Sequence, residues 1–308
     1  MRSLSLAHRV LYFALVLGSL SAATLEWYQR SQVRRAGVRE RILDAVSRRP
    51  VVFFGDSHIA CAIDDEFDGR IANLGSANEF YLFTALKIRR VRPRVAVIGV
   101  WVHDFLPYFQ DPLSRVALGH YALWARDLSG EARNDLLAHL TFEDKAYFLA
   151  RSTIPFLGTQ LSTDIPGPRQ GLGGFMGYPN RPFVMSTAAS HRLEQMADST
   201  SREPLSLQSR ALDRILRQCD EDGTRVILLS TPVHGGLRRR LPEWMTQNYE
   251  AVLAEMAKRH TFGRWDESAR SMEPDAYYDP DHLTASGARA FTRSLLERLD
   301  GEGLLPPR

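Results

Sequence analysis

At 308 residues, with 44% hydrophobic and 24% charged side chains, the chain has the composition of a folded domain able to bury its own core. That excludes a disordered or low-complexity protein, and no fixed-period repeat is visible. The net charge of +3 is gathered in short runs such as Arg34-Arg35 and Arg238-Arg239-Arg240, without a basic stripe interleaved with aromatics, so nucleic acid is not an expected partner.

In chain order, the first feature is an uncharged apolar run from Val10 to Leu25, preceded by Arg2, His8 and Arg9 and followed by Trp27-Tyr28. It is a little shorter than the ~20 residues that span a bilayer, and the aromatic pair suits a membrane interface. Residues 1–28 therefore read as a single-pass signal anchor, with cleavage near Ser21-Ala22-Ala23 as the alternative. Either reading places the rest of the chain outside the cytoplasm, in a periplasmic or extracellular setting. Residues 29–49 carry Val33, Val38, Ile42, Leu43 and Val46 at helical spacing and read as a juxtamembrane helix that Pro50 ends.

Residues 50–308 form the expected main domain. Val51-Val52-Phe53-Phe54, Val95 to Val102 and Arg225 to Ser230 are apolar runs bounded by Pro and Gly, as buried parallel strands are. Phe80 to Val91, Ser206 to Asp222, Leu241 to His260 and Ala285 to Leu299 are amphipathic and read as helices. The alternation predicts an α/β fold, a three-layer sandwich with a parallel sheet covered on both faces. Residues from about 106 to 204, rich in aromatics and in Gly-Pro loop chemistry, read as a long insertion capping the site.

The chemistry begins where the first strand ends. Gly55-Asp56-Ser57-His58 sets a serine just past a buried strand, after a glycine that permits a sharp turn. Reactive groups of open parallel sheets gather at these carboxyl ends. A serine needs a base held by a third group, and Asp279-Pro280-Asp281-His282 offers one near the far end of the chain. Asp279 is the candidate for orienting His282, and Asp281 competes for that role from the same loop. Asp56 reads as a residue that holds the turn and Asp104 as a cap. His234, after the strand ending at Ser230, should face the same crevice. His58, Trp101 and His234 are candidate substrate contacts, and the arginine run at 238–240 reads as a solvated face. Cys61 and Cys219 belong to no C-x-x-C pair and read as buried thiols, with a disulfide possible on export. No metal-ligand spacing occurs, and neither metal nor cofactor is expected.

Taken together these blocks resemble the SGNH/GDSL hydrolase superfamily, whose fold is flavodoxin-like. Gly55-Asp56-Ser57 matches its nucleophile block and Asp279-x-x-His282 its closing block. Asn73-Leu74-Gly75-Ser76-Ala77-Asn78 looks like the second block, which ends in an oxyanion-hole glycine. Here Asn78 stands at that place, with Gly75 three residues earlier, and either N–H is a candidate donor. Trp101-Val102-His103-Asp104 falls on the third block, so His103 replaces its oxyanion asparagine. The resemblance implies a triad of Ser57, His282 and Asp279, with oxyanion donors from Ser57, Gly75 or Asn78, and His103. The plan of membrane segment, SGNH domain and insertion is similar to exported envelope-modifying proteins, among them the D-alanine transfer protein and the alginate acetyltransferases. That likeness implies acyl transfer to or from polysaccharide hydroxyls, or hydrolysis of a small ester, beside a membrane-bound acyltransferase partner. A non-catalytic assembly or carbohydrate-binding subunit on the same fold is the alternative.

Overall fold

The structure, a computed structural model, describes residues 13, 19–21, 41–77, 79–106, 130–139, 173–179, 185–197 and 206–307. The run from Val10 to Leu25 lies outside this set except at residues 13 and 19–21, which are helical with Phe13 and Leu20 exposed. Among the described residues no helix is long and apolar enough to cross a membrane.

A helix over 41–47 (α1) leads to β1 (Val51–Phe54), α2 (Ser57–Ala62), β2 (Ile71–Asn73), α3 (Tyr81–Val91) and β3 (Val95–Gly99). A 3-10 turn spans Val102–Phe105. After it come α4 (Gly130–His139), α5 (Met185–Ala197), α6 (Ser206–Asp222), β4 (Arg225–Ser230), α7 (Gly235–Arg238) and α8 (Glu243–Ala257). β5 (Gly263–Asp266), a second 3-10 turn (Pro274–Ala276) and α9 (Ala285–Gly301) complete the order.

The five strands are parallel in the order β2-β1-β3-β4-β5. Side chains alternate across each strand, so the sheet feeds two cores. Val52, Phe54, Ala96, Ile98, Val226 and Leu228 face one core, which α1, α3, α6 and α8 cover. Val51, Phe53, Val95, Val97, Ile227 and Leu229 face the other, which α9 and α2 close. Both faces are thus dry, and truncating Phe53 or Phe54 to alanine removes about 3–5 kcal/mol.

β3 ends at Gly99, not at Val102 as the apolar run suggests, because residues 102–105 coil into the 3-10 turn. β2 and β5 are edge strands of three and four residues without a long apolar run, and in β5 only Trp265 is buried. Cys61 packs in α2 and Cys219 in α6, on opposite faces of the sheet, and both are free and buried. No disulfide joins them.

The order places a topological switch between β1 and β3. From β1 the chain steps outward to β2, then returns to β3 on the other side. Loops leaving β1 and β3 diverge there and open a crevice at the carboxyl edge. Ser57 leaves β1 and Trp101 to Asp104 leave β3 at that point.

Candidate active site

Gly55 has φ +143, and a β-carbon on it would lie 2.9 Å from Ile59 Cγ1 and 3.3 Å from the Gly99 backbone. Only glycine makes this turn without strain. Asp56 then caps α2, accepting the His58 N–H at 2.9 Å, which leaves Ser57 at the first helical position.

His282 comes from the opposite end of the chain on a loop built to hold it. Asp279 Oδ1 accepts the backbone N–H groups of Asp281 (3.1 Å) and His282 (2.8 Å). Tyr278 N–H donates to the His282 carbonyl at 2.9 Å, and Thr284 caps α9 just beyond. The ring is thereby aimed at both partners. His282 Nδ1 lies 2.9 Å from Asp279 Oδ2, and Nε2 lies 2.8 Å from Ser57 Oγ. With Nδ1–H donated to Asp279, the Nε2 lone pair faces the serine hydroxyl, the tautomer a general base needs.

Beneath Ser57, His282 and Asp279 lies a buried line of carboxylates and basic side chains. Asp281 accepts from Arg192 Nε at 2.7 Å and faces His58 Nε2 at 3.3 Å. His58 Nδ1 meets Asp56 at 3.1 Å, and Asp56 meets His103 Nε2 at 2.7 Å. Burial alone would lower the His58 imidazole, but the carboxylates of Asp56 and Asp281 outweigh it and push it up to about 10. Burial likewise opposes charge on Asp56 and Asp281. The His58 and His103 rings beside Asp56, and Arg192 with the His282 and His58 rings beside Asp281, outweigh burial and hold both carboxyls well below the usual range. The His58 ring stacks on His282 with centroids 4.8 Å apart.

This network explains where the other candidates sit. His58 and Trp101 are buried, with Trp101 packed against the His58 and His103 rings at 5.7 and 5.5 Å, so neither offers substrate an open face. His103 turns its Nε2 to Asp56 instead of toward an oxyanion. The Gly75 N–H is already donated to Asn73 Oδ1 at 2.8 Å, and Asn73 in turn ties β2 to α2 through the Ile59 and Ile63 carbonyls. Asn78 lies outside the described residues. His234 is half-buried; its Nδ1 accepts the Gly236 N–H, and its own N–H reaches the Pro280 carbonyl. Burial and then Arg239 lower its pKa. Asp104 caps the turn, accepting from Trp101 N–H at 2.7 Å and Tyr81 O–H at 3.0 Å, and burial raises it to about 6. Arg238, Arg239 and Arg240 are exposed.

Described parts of the stretch read from the sequence as an insertion also reach the site. In residues 173–179 Gly174 N–H bonds the Gly75 carbonyl at 2.8 Å and Met176 N–H the Ala60 carbonyl at 2.7 Å. Tyr178 stacks on Tyr278 at 4.3 Å and presents an edge to His282 at 6.2 Å. Arg192 arrives on α5. Nothing in the sequence pointed to Arg192, which lies 89 residues from its carboxylate.

Asp56, His58 and His103, and likewise Asp279, Asp281 and His282, gather metal-ligating atoms closely. Most of these contacts span 2.7–3.1 Å and are hydrogen bonds. Ligands around a tetrahedral metal stand about 3.3 Å apart. The carboxylates of both clusters are therefore engaged in hydrogen bonds with the imidazoles beside them.

No family model matches the chain, and no curated protein matches it. Solved structures do. A Streptococcus pneumonia protein provisionally assigned as a platelet activating factor is 13% identical, with 91% of this chain and 99% of that one covered at a TM-score of 0.41. A provisionally assigned acylhydrolase from Bacteroides fragilis is 12% identical over 90% and 96%, at 0.37. A GDSL-like lipase from Bacteroides thetaiotaomicron is 12% identical over 90% and 98%, at 0.38. The chemistry of this chain has to be read from its own side chains.

Proposed function

We propose that this chain is a serine esterase or O-acyltransferase of the SGNH/GDSL type. The observation that carries the reading is the 2.8 Å contact of His282 Nε2 with Ser57 Oγ, with Asp279 on the opposite ring nitrogen at 2.9 Å. Ser57 Oγ attacks an ester carbonyl and His282 takes its proton. The Asp279 carboxylate stabilises the imidazolium that results. The tetrahedral oxyanion takes the Ser57 N–H, which at the first position of a helix has no intrahelical acceptor. Collapse returns the proton from His282 to the leaving alcohol and leaves an acyl group on Ser57. Water or a sugar hydroxyl, deprotonated by the same histidine, then releases it.

The apolar run from Val10 to Leu25 supports an exported, membrane-tethered enzyme, and the likeness of its plan to envelope-modifying proteins is the ground for proposing acylated envelope polysaccharide as substrate and a membrane-bound acyltransferase as partner. One observation favours a binding or assembly subunit instead. The Gly75 N–H and the His103 imidazole, two expected oxyanion donors, are engaged by Asn73 and Asp56.

Intact mass after fluorophosphonate treatment separates the two readings. A single adduct on wild type that is absent from Ser57→Ala is the expected result. No adduct on folded wild type overturns the enzyme reading. Turnover of a p-nitrophenyl ester with and without an oligosaccharide acceptor then distinguishes hydrolysis from transfer.

A further inference from the structure

The buried charges beneath the triad are not consumed by the steps above, yet they press directly on its base. His282 faces Asp279 at 2.9 Å and Asp281 Oδ1 at 3.6 Å from its own loop. From α2 the His58 ring stacks on it, backed by Asp56 and, beyond that, by His103. From residues 173–179 comes the Tyr178 edge, while His234, the N-cap of α7, packs its ring on Tyr277, holds Pro280 of the same loop through its N–H and has Arg239 as its neighbour in charge. Asp281 is thus shared. Its Oδ2 is claimed by Arg192 and His58, its Oδ1 faces His282, and its side chain is 1% exposed.

We infer that Arg192, carried into the site by the insertion helix α5, sets the pH range over which Ser57 is activated by drawing off the Asp281 charge that His282 would otherwise feel. Arg192 is a positioning residue in this account, since it acts on His282 through the Asp281 carboxylate that its Nε holds. The inference rests on the proposed serine chemistry.

The sign follows from Coulomb's law. An imidazolium on His282 is favoured by nearby anions and opposed by nearby cations. Arg192 holds Asp281 at 2.7 Å in a water-poor setting, where one charge moves a titration by roughly half to one pH unit. Without Arg192 more of the Asp281 field falls on His282, and the base stays protonated to higher pH. Without Asp281, Arg192 and His58 bear on His282 uncompensated, and it stays unprotonated to lower pH. Opposite shifts from two residues that touch each other are not what mere loss of packing would produce.

The test is the rate of fluorophosphonate labelling of Ser57 on the full chain from pH 4 to 9. Arg192→Gln should move the acid inflection up by roughly half a unit or more, Asp281→Asn should move it down, and Arg192→Lys should restore it. Inflections that stay with wild type in Arg192→Gln and Asp281→Asn, on proteins with native circular dichroism, overturn the inference. If Arg192→Gln does not fold, Asp281→Asn and the double variant Arg192→Gln/Asp281→Asn decide: the double variant should return the inflection toward wild type, and an inflection equal to that of Asp281→Asn alone overturns the inference. Absence of labelling in wild type would sink the serine reading itself, a different result from an unmoved inflection.

Discussion

Two aspartates contend for one imidazole, and their hydrogen bonds assign them different work. Asp279 both bonds Nδ1 of His282 and accepts the loop N–H groups that fix the ring, whereas Asp281 stands 3.6 Å from Nδ1 and serves Arg192. On the proposed serine chemistry, Asp279→Asn would allow the wrong tautomer and should lower ester turnover by roughly 10³–10⁴-fold, as loss of a triad aspartate does. Asp281→Asn should change the pH profile far more than the plateau rate. Equal plateau losses in the two variants would show that the loop uses both carboxylates as orienters. Gly173 poses a sharper steric demand. Its φ is +92, and a β-carbon there would lie 2.2 Å from the Gly75 carbonyl oxygen and 2.6 Å from that of Leu74. Gly173→Ala should therefore loosen the docking of residues 173–179 at a cost of about 1–3 kcal/mol. Hydrogen exchange at the Gly174 and Met176 amides, whose bonds to Gly75 and Ala60 make that docking, should quicken about tenfold or more. Unchanged protection would mean that the two bonds do not depend on the Gly173 turn.

At the scale of elements, α3 begins just after the loop that carries Gly75 and ties itself to that loop from inside. The Lys87 ammonium, 1% exposed, donates to the Leu74 carbonyl at 2.8 Å and to the Glu79 carboxylate, which also accepts from Thr84. Burial dominates both partners, raising Glu79 to about 7 against the pull of Lys87 and lowering Lys87 itself. Lys87→Met should cost about 3–5 kcal/mol in urea denaturation near pH 8, because it strands a buried carboxylate. The deficit should shrink toward pH 5 as Glu79 takes a proton, and adding Glu79→Gln should recover part of it. A loss that ignores both pH and the second substitution would point to packing alone. The same elements show what a sequence can and cannot carry. β1, β4 and α6 announce themselves because full burial demands unbroken apolar or strictly periodic runs. β2 and β5 are short edges, where little burial leaves little pattern. Ser57, Asp279 and His282 were legible because each is tied to a local turn, Gly55 for one and an Asx loop for the others. The pairing of Gly75 with Asn73, the burial of Trp101 and the reach of Arg192 were not, since each depends on where distant elements come to rest.

Across the whole molecule the line Arg192, Asp281, His58, Asp56, His103 joins residues 185–197, the closing loop, α2 and the end of β3 through carboxylates that each stand between basic side chains. Such a line stabilises the fold only while its middle member stays protonated, which gives stability a particular dependence on pH. His58 sits between two carboxylates and titrates at about 10 in the fold, against about 6.5 in an unfolded chain. A raised imidazole binds its proton more tightly when folded. Its contribution is therefore complete below pH 6.5 and disappears as pH rises toward 10. The amount is at most a few kcal/mol, because the carboxylates it neutralises keep other partners, His103 for Asp56 and Arg192 for Asp281. His58→Gln removes the titrating group and leaves Ser57, His282 and Asp279 in place. Wild type should be more stable than this variant at pH 6, and the gap in urea denaturation should narrow steadily between pH 7 and 10. Tyrosines raised to about 12, such as Tyr178 and Tyr249, titrate beyond that window and are common to both proteins, so they cancel in the difference. A gap that stays constant from pH 6 to 10 would mean that His58 is neutral in the fold, and that the stacked ring beside His282 carries no charge for Asp281 to balance.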